Sequence, residues 1–347
     1  MVISRKTTFA LPCLLLPLAL LGSCGPVPLK RLGGYQSIPC RDTAQGGATV
    51  AAVGSLGAAS WLYQLQYADP AQIDPTTFAV AVIDYSRSGE ESGRYSGAEM
   101  AALQSGGRQV IAYLSIGEAE AYRYYFDAGW IDPLTGQPDS TAPCWLGRTN
   151  PDWEGNYKVQ YWSEDWQRIM LGYLDRIIAD GFDGVYLDIV DAFEYWGDPG
   201  SGEGYHLSEA EAAKCMIDLV KRIAHHARVE RGRAGFHVIP QNAERILDYD
   251  LGGDYLQVIS GLGVEDLYYE GTDPVPAAQT AERKAFLNQV TGLGKPVLVV
   301  DYVDGGTRPP ASIVTDFRAK AVADGFVPYA ARTDLELDEI NTFAGQP

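Results

Sequence analysis

The chain has 347 residues, 46% of them hydrophobic and 11% aromatic, which is ample apolar material for one large core. Its formal net charge of −18 argues against a nucleic-acid binder, because affinity for phosphate backbones comes mainly from lysine and arginine. The charge leaves a cationic or neutral partner, although acidity that only keeps the protein soluble accounts for it equally well.

At the N-terminus Arg5 and Lys6 precede an apolar run from Phe9 to Leu21 and then small residues up to Cys24, the pattern of a secretory signal. The run is short for a bilayer crossing, which takes about 20 apolar residues. Leu21-Gly22-Ser23-Cys24 resembles the bacterial lipobox, whose cysteine is acylated and becomes the first mature residue. With Gly25 next rather than aspartate, that resemblance implies an outer-membrane or surface lipoprotein; the plain alternative is a cleaved signal that happens to contain a cysteine. The predicted organisation is a signal over 1–24, a Gly-, Ala- and Pro-rich tether over 25–59 and a single domain over 60–347. Cys40, Cys144 and Cys215 then remain for one bridge at most, expected between Cys40 and Cys144 because Cys215 sits in a helical pattern. The cysteines lack ligand spacing, and the adjacent His225 and His226 point different ways on a predicted helix and read as surface residues. No metal and no cofactor is expected.

Beyond the tether, apolar β-branched runs recur: WLYQLQ at 61, FAVAVIDYS at 78, QVIAYLSIGE at 109, YKVQYW at 157, FDGVYLDIV at 182, FHVIPQN at 236, YLQVISGLGVE at 255, PVLVVDYV at 296 and FVPYAA at 326. Helical patterns alternate with them, clearest over 163–180, 208–231, 277–294 and 311–324. Strands apolar on both faces that alternate with amphipathic helices predict a parallel sheet covered by helices, and the number of units predicts a (β/α)8 TIM barrel. One strand is in excess, either YKVQYW or a terminal run. An open doubly wound sheet is the alternative, but no glycine-rich phosphate turn follows the first strand.

In such a barrel the chemistry lies at the C-terminal strand ends. Asp84, Glu118, Asp188, Glu244, Glu265 and Asp301 all end or follow these runs. Helix capping explains any one of them as well as catalysis does, but it explains the set poorly, since several lie within the apolar run itself. Clustered carboxylates without a nucleophilic serine motif or paired cysteines suit a metal site or glycoside cleavage, which needs one ionised and one protonated carboxyl. The lack of strand-end histidines weakens the metal reading. Tyr85, Tyr113, Tyr122, Tyr186, Trp196, Tyr268 and Tyr302 flank the same ends and would stack on sugar C–H faces, or simply pack.

The runs WLYQLQ, AVIDYS, VIAYLSIGEAEAYRYYF, YWSEDWQ, DGVYLDIVDAFEYW, IPQNAE, GLGVEDLYY and VLVVDYV resemble, in order, the motifs of the endo-α-1,4-polygalactosaminidase family, glycoside hydrolase family 114. The resemblance covers about residues 61–333. It implies a barrel that hydrolyses a cationic, partly acetylated α-1,4-linked galactosamine polymer with one Asp and one Glu. Asp188 matches the family's strand-end aspartate and is expected as nucleophile or base. Glu244 is the first choice for the acid, with Glu265 a close second. Asp84, Glu118, Glu265 and Asp301 are expected to hold ammonium groups, and Tyr113, Tyr186, Asn242 and Tyr302 to contact the sugar. The resulting expectation is a monomeric, lipid-anchored endo-glycosidase outside the cytoplasm. The alternative is a non-catalytic carbohydrate-binding lipoprotein on the same barrel.

Overall fold

The computed structural model describes residues 56–204, 206–308 and 310–347. The signal, Cys24, Cys40 and the tether as far as residue 55 lie outside the described residues.

Two parallel sheets follow the chain order around a barrel. The first contains β1 (Trp61–Gln64), β2 (Val80–Ile83), β3 (Gln109–Ser115), β4 (Gly184–Asp188) and β5 (His237–Pro240). The second contains β6 (Leu262–Glu265), β7 (Val297–Asp304) and β8 (Val327–Arg332). A parallel bridge between Gln241 and Gly263 joins β5 to β6, and Ser260 donates its backbone N–H to Val238 O at 2.7 Å. At the other seam the indole of Trp61 donates to Val327 O at 2.9 Å. The result is a TIM-barrel-like fold.

The run in excess is YKVQYW. Asn156–Val159 pairs antiparallel with Glu118–Glu120 and Leu146–Thr149, forming a small sheet above the C-terminal end of β3. The predicted helices form at Glu164–Ala179, Glu209–His225, Ala277–Gly292 and Ser312–Ala323. Glu209–His225 begins with a capping box, in which Ser208 Oγ accepts the Glu211 N–H and the Glu211 carboxylate accepts the Ser208 N–H.

The run at 255 departs from expectation. Asp254–Val258 is helical, because the Asp250 carboxylate accepts the N–H groups of Tyr255 and Leu256 at 3.0 Å each, and the strand is confined to Leu262–Glu265. Two further expectations fail. His226 is buried rather than on the surface, with its ring nitrogens 2.7 Å from Asp175 Oδ1 and 2.8 Å from Glu230 Oε2. Cys144 is exposed and is not disulfide-bonded, so the Cys40–Cys144 bridge does not form. Cys215 is disulfide-bonded. A place within a helix does not prevent a bridge when the side chain lies on the buried face, as it does here.

Aromatic rings fill the barrel. Tyr63 lies 5.6 Å from Trp61 and 5.4 Å from Tyr186, and Tyr329 lies 5.8 Å from Trp61, measured between ring centroids. Tyr186 fits because residue 263 has no side chain: a Cβ there would stand 1.8 Å from the Tyr186 hydroxyl. Overpacking of this kind costs about 1–3 kcal/mol, and more where neither side can yield. Gly263→Ala is therefore expected to destabilise the barrel by at least about 3 kcal/mol in chemical denaturation. A variant as stable as the wild type would contradict this packing.

Candidate active site

Strand direction gathers the C-terminal ends of the strands at one mouth, where a cavity of about 700 Å³ opens. Asp188 ends β4 and Glu265 ends β6, and both line it. Each carboxylate is held on two sides. Tyr113 donates to Asp188 Oδ2 at 2.6 Å, and the Ile189 N–H donates to Oδ1 at 2.8 Å. Tyr302 donates to Glu265 Oε1, and Asn242 Nδ2 donates to Oε2 at 3.0 Å. Asn242 also accepts the Glu265 backbone N–H at 2.9 Å, so one amide fixes both ends of that residue.

Burial, followed by the negative charge of Glu265, pushes Asp188 up from 3.8 to about 8, against the lowering effect of the bonds from Tyr113 and Ile189. Asp188 therefore keeps its proton at neutral pH, with the charge of Glu265 in the same cavity opposing its ionisation.

Glu244 lies elsewhere. It is buried in the turn after β5 and ion-paired with Arg283, beside a second cavity of about 450 Å³ that meets the first along Glu265 and Asp266. Arg283 also donates to the carbonyls of Glu265 and Asp266 at 3.0 and 2.9 Å. Glu244 thus braces the backbone that carries Glu265.

The remaining expected contacts divide. Asp84 lines the cavity, but both its oxygens accept from Arg123 at 2.9 and 2.7 Å. Glu120, also on the wall, accepts from the same guanidinium at 2.7 Å. Glu118 is fully buried, held by Lys158, Asn150 and Asn156, and does not line the cavity. Asp301 is sealed as well. Strand alternation puts it on the face opposite Tyr302, where it accepts the N–H groups of Leu267, Tyr268 and Tyr269 at 2.9–3.0 Å and shapes the loop beyond Glu265. Tyr186 packs inside the barrel below the mouth, and Tyr85, Trp196 and Tyr268 are likewise packing residues away from the cavity. Of the expected aromatics, Tyr113, Tyr122 and Tyr302 reach it.

The sequence model of glycoside-hydrolase family GH114 matches residues 42–346. The chain belongs to this family. It is therefore a glycoside hydrolase, and the match begins inside the stretch read as a tether. An uncharacterised protein of Methanocaldococcus jannaschii is 45% identical over 285 residues, 82% of this chain and 78% of that protein. One from Thermotoga maritima is 43% identical over 288 residues, covering 82% and 84%. Among solved structures, the glycoside hydrolase domain of PelA from Pseudomonas aeruginosa superposes with a TM-score of 0.57 at 19% identity, over 82% of this chain and 97% of that one. Aspergillus fumigatus Ega3, in complex with galactosamine, gives 0.58 at 20% identity over 84% and 96%. At that identity the likeness shows the fold.

In this GH114 chain several cavity residues escaped the sequence reading. Tyr63 lines it, joined by a 3.0 Å hydrogen bond to Gln241 of the PQN run, whose amides the sequence already offered to a sugar hydroxyl, and Trp153 comes from the turn before the accessory strand Asn156–Val159. Arg123 was legible only as part of EAEAYRYYF, where Glu120 and Arg123 stand three residues apart. Glu90, Asp152 and Glu154 are exposed on the rim, and none of them forms an ion pair among the described residues.

The raised Asp188 has a consequence for stability. At Asp188 the folded chain holds one proton more than the unfolded chain between about pH 4, the ordinary range of an aspartate, and about pH 8, so this group's contribution is negative through that window. The stability contributed by this group therefore falls as pH rises through that window. Asp188→Asn removes this slope, so its Tm relative to wild type is expected to climb from pH 4 to pH 8 and level off above. A pH-independent difference would place Asp188 in the ordinary carboxylate range.

Proposed function

We propose that this chain hydrolyses a partly acetylated, α-1,4-linked galactosamine polymer internally, with Asp188 and Glu265 as its carboxyl pair. The observation that carries the reading is that Asp188 and Glu265 line one cavity, where burial and the charge of Glu265 push Asp188 up to about 8. This makes Asp188 the protonated carboxyl rather than the nucleophile or base expected from the sequence, since glycoside cleavage needs one carboxyl protonated and its partner ionised. Glu265 replaces Glu244 as the partner because it shares the cavity with Asp188, whereas Glu244 is engaged by Arg283.

The amino-sugar assignment draws on the galactosamine complex of Ega3 and on the rim acids Glu90, Asp152 and Glu154. Ammonium groups are attracted to such a rim, more strongly where water is partly excluded. Trp153 and Tyr67 offer ring faces for sugar C–H groups. The lipobox pattern ending at Cys24 supports a lipid-anchored protein outside the cytoplasm, where an extracellular polysaccharide is met.

The test is release of reducing ends from α-1,4-galactosamine polymer. Asp188→Asn and Glu265→Gln are expected to fold normally and lose about a thousandfold or more in rate. Glu244→Gln, which acts only through Arg283, keeps measurable activity. An active Glu265→Gln beside a dead Glu244→Gln would transfer the pair to Glu244, and a wild type that binds polymer without releasing ends would be a binding protein.

Two condition dependences follow from the same site. Activity is expected to fall as pH rises through about 8, when the retained proton leaves. Added salt is expected to raise KM for the deacetylated polymer, because it screens the rim acids. A salt-independent KM would point to a neutral sugar.

A further inference from the structure

Seven non-glycine residues among those described adopt positive φ: Tyr67, Ile189, Asn242, Ala243, Asp266, Leu335 and Leu337. All lie at the mouth. Ile189 follows Asp188 directly, Asp266 follows Glu265 directly, and the others line one of the two cavities. Left-handed backbone costs a residue with a Cβ roughly 1–2 kcal/mol, and such strain concentrates where function requires it. Asn242 and Asp266 are residue types that tolerate this region; leucine is not. Leu335 and Leu337 nonetheless occupy it at φ 66° and 49°, in a loop where asparagine or glycine would be less strained.

That loop is pinned against the mouth. Leu337 O accepts the N–H groups of Leu65 and Gln66 at 2.8 and 3.0 Å, Gln66 Nε2 donates to Glu336 O at 2.7 Å, and Gln64 Nε2 donates to Asp338 O at 2.9 Å. The side chains of Leu65, Leu335 and Leu337 form an apolar stretch of cavity wall, with Tyr67 beside them. The other part of the rim carries Glu90, Asp152 and Glu154. One cavity therefore offers carboxylates and a methyl-lined surface, which are the two chemistries that the 2-position of an amino sugar presents: an ammonium when free and an acetamide when acetylated.

We propose that the Leu335–Leu337 wall receives the acetamide methyl of an N-acetylated unit, so that the cavity recognises chains carrying acetylated and free amines together. This inference rests on the amino-sugar reading of the site and assigns the acetylation preference within it. Gln66 also lines the cavity, and its Oε1 has no protein partner among the described residues, leaving it available to the acetamide N–H. Burial of one methyl against such a wall discriminates by tenfold or more in a rigid pocket.

Direct binding tests this without depending on turnover. Affinities of partly acetylated and of fully deacetylated α-1,4-galactosamine oligomers are measured by calorimetry on Asp188→Asn protein, with and without Leu335→Asn and Leu337→Asn. Asparagine keeps the left-handed backbone and removes only the apolar surface. The preference for the acetylated oligomer, taken as the ratio of the two Kd values, is expected to fall at least fivefold in the leucine variants. An unchanged ratio, including an equal loss for both oligomers, would overturn the assignment and make the leucines a support for the sugar ring alone. Absence of any binding would also overturn it, while failure of the wild type to cut a polymer that it binds would count against the hydrolytic reading only.

Discussion

Burial and the neighbouring charge of Glu265 oppose ionisation of Asp188 at neutral pH, and the site is organised around that constraint. Asp188 and Glu265 stand at the ends of β4 and β6, close enough for the charge of one to raise the other. The surrounding donors keep the two side chains oriented without neutralising them. Tyr113 and the Ile189 N–H hold Asp188, while Tyr302 and Asn242 hold Glu265. No donor in this set is a formal cation, so nothing there offsets the burial and the Glu265 charge that raise Asp188.

The contrast with the rest of the acidic set is physical. Asp84 and Glu120 are matched by Arg123, Glu118 by Lys158 and Glu244 by Arg283. Asp301 is satisfied by three backbone N–H groups. A buried carboxylate with such a partner is part of the framework. Asp301 and Glu244, expected at the substrate, instead shape and brace the segment that presents Glu265, and so serve the site from behind it.

Much of the architecture was legible because periodicity reports burial. The apolar runs and the four long helical patterns lie close to their observed positions, and the excess strand candidate, YKVQYW, is the one that pairs antiparallel outside the barrel. Three features were not legible. The choice between Glu244 and Glu265 depended on where Arg283 reaches, and that residue lies 39 positions away from Glu244 in a later helix. Tyr186 reads as a mouth residue until Gly263 is seen to make room for it inside the barrel. The contributions of Trp153 and Leu337 come from connecting segments without periodicity, whose placement only the folded chain reveals.

The central claim is the coupling of Asp188 to Glu265, and a site-resolved titration of the Asp188 carboxyl by isotope-edited infrared spectroscopy tests it most directly. The account predicts a midpoint near pH 8 in the wild type and a clear fall in Glu265→Gln, to a value still above the ordinary range because burial remains. A midpoint that ignores Glu265→Gln, or that moves with Glu244→Gln instead, would contradict it.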